Sequence, residues 1–140
     1  MCFGVGWYLR SGVVVWTEYM LHWTSCLFGG VVVYAYNVQN VWYHTTFLAV
    51  TIMSLLRWSE HNNRIVGLID KATAHWAFVL VLLDTQRVIE FNEIWLLGFP
   101  LCVGVLWVAE LSFLEYAVPL HCGLHVLSAL GAGMYLWVLK

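Results

Sequence analysis

The feature that most constrains this chain is a succession of five nearly uninterrupted apolar runs, at residues 15–36, 41–58, 65–83, 93–113 and 117–139. Covering about 30 Å of hydrocarbon takes roughly 20 residues at helical rise, and each run comes close to that length. The runs are continuously apolar rather than alternating. A lipid-facing segment must also satisfy its own backbone hydrogen bonds, so helices are expected and barrel strands are not. The expected fold class is all-α: a polytopic transmembrane helical bundle of about five helices, forming one integral membrane domain over residues 1–140. Composition agrees, since 62% hydrophobic and 10% charged residues leave too little polar surface to solvate a globule of this size. A formal net charge of −2 with six Lys plus Arg provides no basic footprint, which excludes nucleic acid as a partner.

The polar clusters fall between the runs, at 37–40, 59–64 and 84–93, with a weak break at Glu115 and Tyr116. Connections this short make consecutive helices antiparallel neighbours. Trp42, Trp58, Trp95 and Trp137 stand near the expected ends, where an amphipathic ring prefers the headgroup level, whereas Trp76 and Trp107 are expected to fill the core. Cys2, Cys26, Cys102 and Cys122 stand far apart without a CxxC pair, so neither a disulfide framework nor a zinc ribbon is indicated. The segment before residue 15 is interrupted by Arg10 and is expected to lie along the interface. It has neither the pattern of a signal peptide nor that of an Arg-rich transit peptide.

With five spans, one side of the membrane (side A) collects Arg10, Arg57, Arg64 and Lys71, and the other (side B) collects Arg87 and Lys140. The excess assigns side A to the cytosol, or to the matrix of a mitochondrion. The mitochondrial inner membrane and the endoplasmic reticulum are the favoured locations.

Ionisable groups at membrane depth are costly and need a partner or a task. His121 and His125 are four residues apart near the start of the last run, so both imidazoles lie on one helical face and can address one metal ion. Pro119 suits the first turn of that helix. Asp70 lies toward side A at the start of the third run, His61 in the connection before it, and Ser54 two helical turns before His61. These groups from three helices are expected to converge. The competing reading makes the histidines interhelical hydrogen-bond partners and pairs Asp70 with Lys71 or Arg64. His75 is expected to face a different neighbour, and His22 and His44 to pack beside Trp23 and Trp42. Glu18, Glu110 and Glu115 are expected to reach headgroup water, and residues 84–93 to form a solvated loop. Pro100 inside the fourth helix predicts a kink. Ser128, Ala129, Gly131, Ala132 and Gly133 give the last helix a narrow surface for close packing.

The string Leu120-His121-Cys122-Gly123-Leu124-His125-Val126-Leu127-Ser128-Ala129-Leu130-Gly131 resembles the last helix of the CREST superfamily, the alkaline ceramidases, progestin-receptor-like proteins and related membrane hydrolases. Ser54 and Asp70 match in order and approximate spacing the Ser and Asp of that pattern. The chain departs from it four residues after Ser54, where Trp58 replaces a metal-binding His, and in offering room for about five helices instead of seven. The resemblance covers about residues 50–75 and 117–137. It implies a zinc-dependent lipid amide or ester hydrolase in which His121, His125 and His61 hold zinc. Asp70 would orient or deprotonate water, and Ser54 would stabilise the oxyanion.

Two further classes compete. The missing ligand, the short chain and the packing surface of the last helix point to a non-catalytic, accessory subunit of a larger membrane complex, whose partners are the bilayer and other membrane subunits. Haem binding ranks last. One face bearing His121 and His125 cannot supply both axial ligands, and His75 or His22 would have to complete the set.

Overall fold

The structure, a computed structural model, describes residues 13–59, 63–113 and 116–140, with side chains described from Met20 onward. Among the described residues the chain forms five α-helices: α1 (Val13–Asn37), α2 (Val41–Ser59), α3 (Arg64–Glu90), α4 (Gly98–Ser112) and α5 (Ala117–Leu139). A 3-10 turn, Ile94–Leu97, precedes α4. The all-α expectation holds. Arg64–Glu90, Ile94–Ser112 and Ala117–Leu139 are each long and apolar enough to cross a membrane. α2 is more polar, because His44, Thr45, Thr46, Thr51, Ser54 and Arg57 lie along it. The expected interfacial segment before residue 15 falls almost wholly outside the described residues.

Helix α1 packs against α2 on one side and α5 on the other; α2 then meets α3, and α5 meets α4. Each inner face follows from the 3.6-residue period. Helix α1 turns Leu21, Ser25, Phe28, Val31 and Ala35 inward, and α2 turns Tyr43, Phe47, Val50 and Ser54. α5 contributes Leu124, His125, Ala129, Ala132, Tyr135 and Leu136. The outer faces carry large apolar side chains, including Leu68, Leu83, Leu101, Val105 and Leu130, as expected where lipid is the solvent.

The turn between α1 and α2 is tight. Gln39 adopts a left-handed φ of 57°, and the Asn40 side chain accepts from the backbone N–H of Tyr43 in the first turn of α2. Asn63 caps α3 by accepting from the backbone N–H groups of Ile65 and Val66 at 3.1 and 3.2 Å.

Two boundaries differ from the sequence reading. Helix α3 continues to Glu90, so most of the expected solvated loop at 84–93 is helical. Gln86, Arg87 and Glu90 are good helix formers, and Val88 is fully buried. Arg87 pairs with Asp84 at 3.6 Å one turn away, and the amide of Gln86 donates to Glu90. Asp84 itself turns inward toward the hydroxyl of buried Tyr43 without reaching hydrogen-bond geometry.

The second difference is at Pro100, which does not kink a long helix. The apolar run 93–113 is divided into the 3-10 turn and α4, and Pro100 lies in the first turn of α4, where its missing N–H costs no helical bond. The Trp expectations also change. Trp76 and Trp107 are exposed on α3 and α4 instead of filling the core, while Trp58 packs inward. Trp42, Trp95 and Trp137 are exposed at helix ends as expected.

The small residues of α5 serve different purposes. A Cβ on Gly131 would stand 2.9 Å from Phe99 Cβ, so this glycine admits the start of α4, whereas Gly133 has no neighbour within 4 Å. Gly131→Ala should lower stability by about 1–3 kcal/mol through overpacking, and Gly133→Ala should leave it unchanged or raise it by up to about 1 kcal/mol, because Ala is the better helix former. Thermal unfolding of the two variants in one detergent checks this. A five-span topology also predicts that cysteines placed at Ser59 and Asn92, in a background without the native cysteines, label from opposite sides of the membrane. Labelling of both from one side would contradict it.

Candidate functional site

The helices bring their polar side chains together at the side A end. Ser54, near the end of α2, donates its hydroxyl to Asp70 Oδ1 on α3 at 2.9 Å. The two residues that the sequence pairs by order and spacing are therefore in direct contact. Asp70 is within electrostatic reach of His121, Arg57 and Lys71. Arg57 reaches α3 because Gly67 has no side chain: a Cβ there would stand 3.2 Å from Arg57 Cζ.

On α5, the rings of His121 and His125 meet edge to face with centroids 4.6 Å apart, as close as their spacing of four allows. They have different environments. His125 is buried, and its Nδ1 lies 3.1 Å from Thr24 Oγ1 and 3.4 Å from Ser25 Oγ on α1. The Ser25 hydroxyl donates to the carbonyl of Leu21 at 2.7 Å, and the Thr24 hydroxyl stands between that carbonyl, at 3.2 Å, and the imidazole. His121 is only partly covered, and its Nδ1 lies 3.0 Å from Glu110 Oε1 on α4. A Glu expected to reach headgroup water is thus an interhelical partner.

Trp58, one turn after Ser54, meets the His121 ring edge-on at a centroid distance of 5.5 Å. The resemblance places a metal ligand at this position, and the structure puts an indole there, against one of the imidazoles. His61, the third expected ligand, lies outside the described residues. Among the described residues no three His, Cys, Asp or Glu side chains are grouped as a metal site requires.

From this end a chain of rings continues through the bundle. His125 meets Phe28 at 5.3 Å, Phe28 meets Phe47 at 5.9 Å, and Phe47 stacks on Tyr43 at 5.8 Å. With Trp58 and His121, six side chains from α1, α2 and α5 link the side A cluster to the side B end. There the Thr85 and Tyr135 hydroxyls lie 3.5 Å apart. Offset and edge contacts of this kind add about 0.5–1.5 kcal/mol each beyond area burial.

His75 and His44 make their contacts elsewhere. His75 presents its ring to Trp107 of α4 at 4.8 Å, with Nδ1 2.6 Å from the carbonyl of Lys71, so it does face a different neighbour. His44 pairs with Tyr36, not with Trp42, and its Nδ1 lies 3.2 Å from the Val32 carbonyl. The sequence reading gave Thr24 and Ser25 no role and assigned Glu110 to headgroup water. Their signal was present, since each is a hydrogen-bonding side chain within an apolar run.

No protein-family model matches the chain, and no curated protein or solved structure shows significant similarity to it.

The His125 contacts generate a prediction. Thr24→Val and His125→Leu should each destabilise the bundle, and the double variant should lose less than the sum, with a coupling of about 0.6–1.7 kcal/mol. Reversible unfolding in mixed micelles measures it, and strict additivity would contradict the contact.

Proposed function

We propose that this protein is an integral membrane subunit with an accessory, structural role in a larger membrane complex. The observation that carries the reading is that polar side chains at the side A end pair with one another across helices. Ser54 donates to Asp70, His121 meets Glu110, and His125 meets Thr24 and Ser25. These five helices are joined as interhelical hydrogen bonds join a scaffold. The outer surface supports the same reading. Gly29 and Gly30 on α1 and Gly104 on α4 have no neighbour within 4 Å, and each lies among large outward apolar side chains. Such gaps allow a helix of another subunit to approach closely. Trp58 against His121 weighs in the same direction, because an indole cannot complete a zinc shell. The setting proposed for the complex is an organellar membrane, the mitochondrial inner membrane or the endoplasmic reticulum.

A second reading is favoured by one specific observation: Ser54, Asp70, His121 and His125 meet at one end of the bundle. In that reading the protein is a CREST-like zinc-dependent lipid amide or ester hydrolase. His121, His125 and His61 would bind zinc, which polarises a carbonyl and activates water. Asp70 would act on the water and Ser54 on the developing oxyanion.

Purification in mild detergent distinguishes the two. The accessory reading predicts a heteromeric particle without stoichiometric zinc, whose composition survives His121→Ala and His125→Ala. One equivalent of zinc in the wild type, lost in both variants, would overturn it in favour of the hydrolase.

A further inference from the structure

Glu110 and His121 carry an inference that rests on neither functional reading. Glu110 projects from α4, two residues before the end of that helix, and His121 from the second turn of α5; the two helices pack against each other. Their side chains are 23% and 27% exposed, so the contact is sheltered from bulk water. Glu110 Oε1 is 3.0 Å from His121 Nδ1. A carboxylate has no proton to give, so the pair is a hydrogen bond only if Nδ1 carries one. The hydrogen bond at one ring nitrogen decides the state of the other.

We infer that Glu110 is a positioning residue that holds His121 in its Nδ1–H form and thereby makes Nε2 the acceptor of the side A cluster. The groups around this imidazole are Glu110 from α4, Trp58 from α2, Asp70 from α3 and His125 on its own helix. His125 holds its own ring differently, through hydroxyls of α1 instead of a carboxylate. The two imidazoles are therefore not equivalent. His125 is a buried ring held between helices, and His121 is the partly exposed ring whose second nitrogen keeps a lone pair. The ligand that such a nitrogen takes is a proton-donating group, the hydroxyl or ammonium of a molecule arriving at the side A surface. The same lone pair would be lost if the Nε2–H form prevailed.

Long-range 1H–15N correlation of the histidine side chains in micelles tests this, with His121 assigned by its disappearance in His121→Gln. At a pH where the ring is neutral, the wild type should show a protonated Nδ1 and an unprotonated Nε2 for His121. Glu110→Gln keeps an acceptor oxygen and should retain that pattern. Glu110→Met keeps the length of the side chain without an acceptor and should move His121 toward the Nε2–H form, with His125 unchanged. A purely structural role for Glu110 would change stability and leave the tautomer alone. The Nε2–H form in the wild type, or the same tautomer in Glu110→Met, would overturn the inference.

Discussion

The contact on which the rest of this bundle depends is that of His125 with Thr24 and Ser25. In a chain whose helices are apolar on nearly every side, hydrophobicity alone does not select which faces meet, because lipid solvates Leu as well as another helix does. A buried imidazole does select, since leaving its N–H without an acceptor in hydrocarbon costs several kcal/mol. His125 therefore fixes the rotation of α5 against α1. Once that rotation is set, Phe28 lies against His125, Phe47 against Phe28, and the inner face of α2 is determined in turn. Ser54 on α2 then meets Asp70 and fixes α3, while His121, on the same face of α5, meets Glu110 and fixes α4.

This order explains why the polar groups form one cluster. Thr24 and Ser25 on α1, Ser54 on α2, Asp70 on α3 and Glu110 on α4 each meet a neighbouring helix, and α5 offers two imidazoles four residues apart that address different helices. The arrangement concentrates polarity at the side A end. A second, smaller polar region lies at the side B end, where Asp84 approaches Tyr43 and Thr85 approaches Tyr135. Between them runs the aromatic segment Phe28, Phe47 and Tyr43, without a buried charge. Scaffold and site use the same contacts, so a functional role for the cluster would not require a different fold.

Much of the fold was legible because membrane helices announce themselves by length and apolarity. The last helix starts and ends at 117 and 139 as the sequence indicates, and Pro119 falls in its first turn. The spacing of His121 and His125, and of Ser54 and Asp70, likewise placed these residues correctly with respect to one another. What failed depended on tertiary neighbours. Residues 84–90 look like a loop by polarity, but the burial of Val88, with the local pairs Asp84–Arg87 and Gln86–Glu90, carries the helix through them. Trp58 looks like an interfacial anchor and Glu110 like a headgroup contact, because a sequence does not disclose that α5 brings an imidazole to each. Pro100 was misplaced for a related reason: apolarity does not distinguish one helix from a 3-10 turn followed by a shorter helix.

The central claim, that the interior polar contacts set the helix faces, is tested most directly by proximity. With the other native cysteines removed and His125 kept, a cysteine replacing Thr24 should be joined rapidly to Cys122, which faces it from α5, by a short bifunctional thiol reagent in the native membrane. A cysteine replacing Trp23 should not be joined to Cys122, because Trp23 is one position away on α1 and 73% exposed on its outer face. Equal cross-linking of both pairs, or linkage of the second pair alone, would contradict the account.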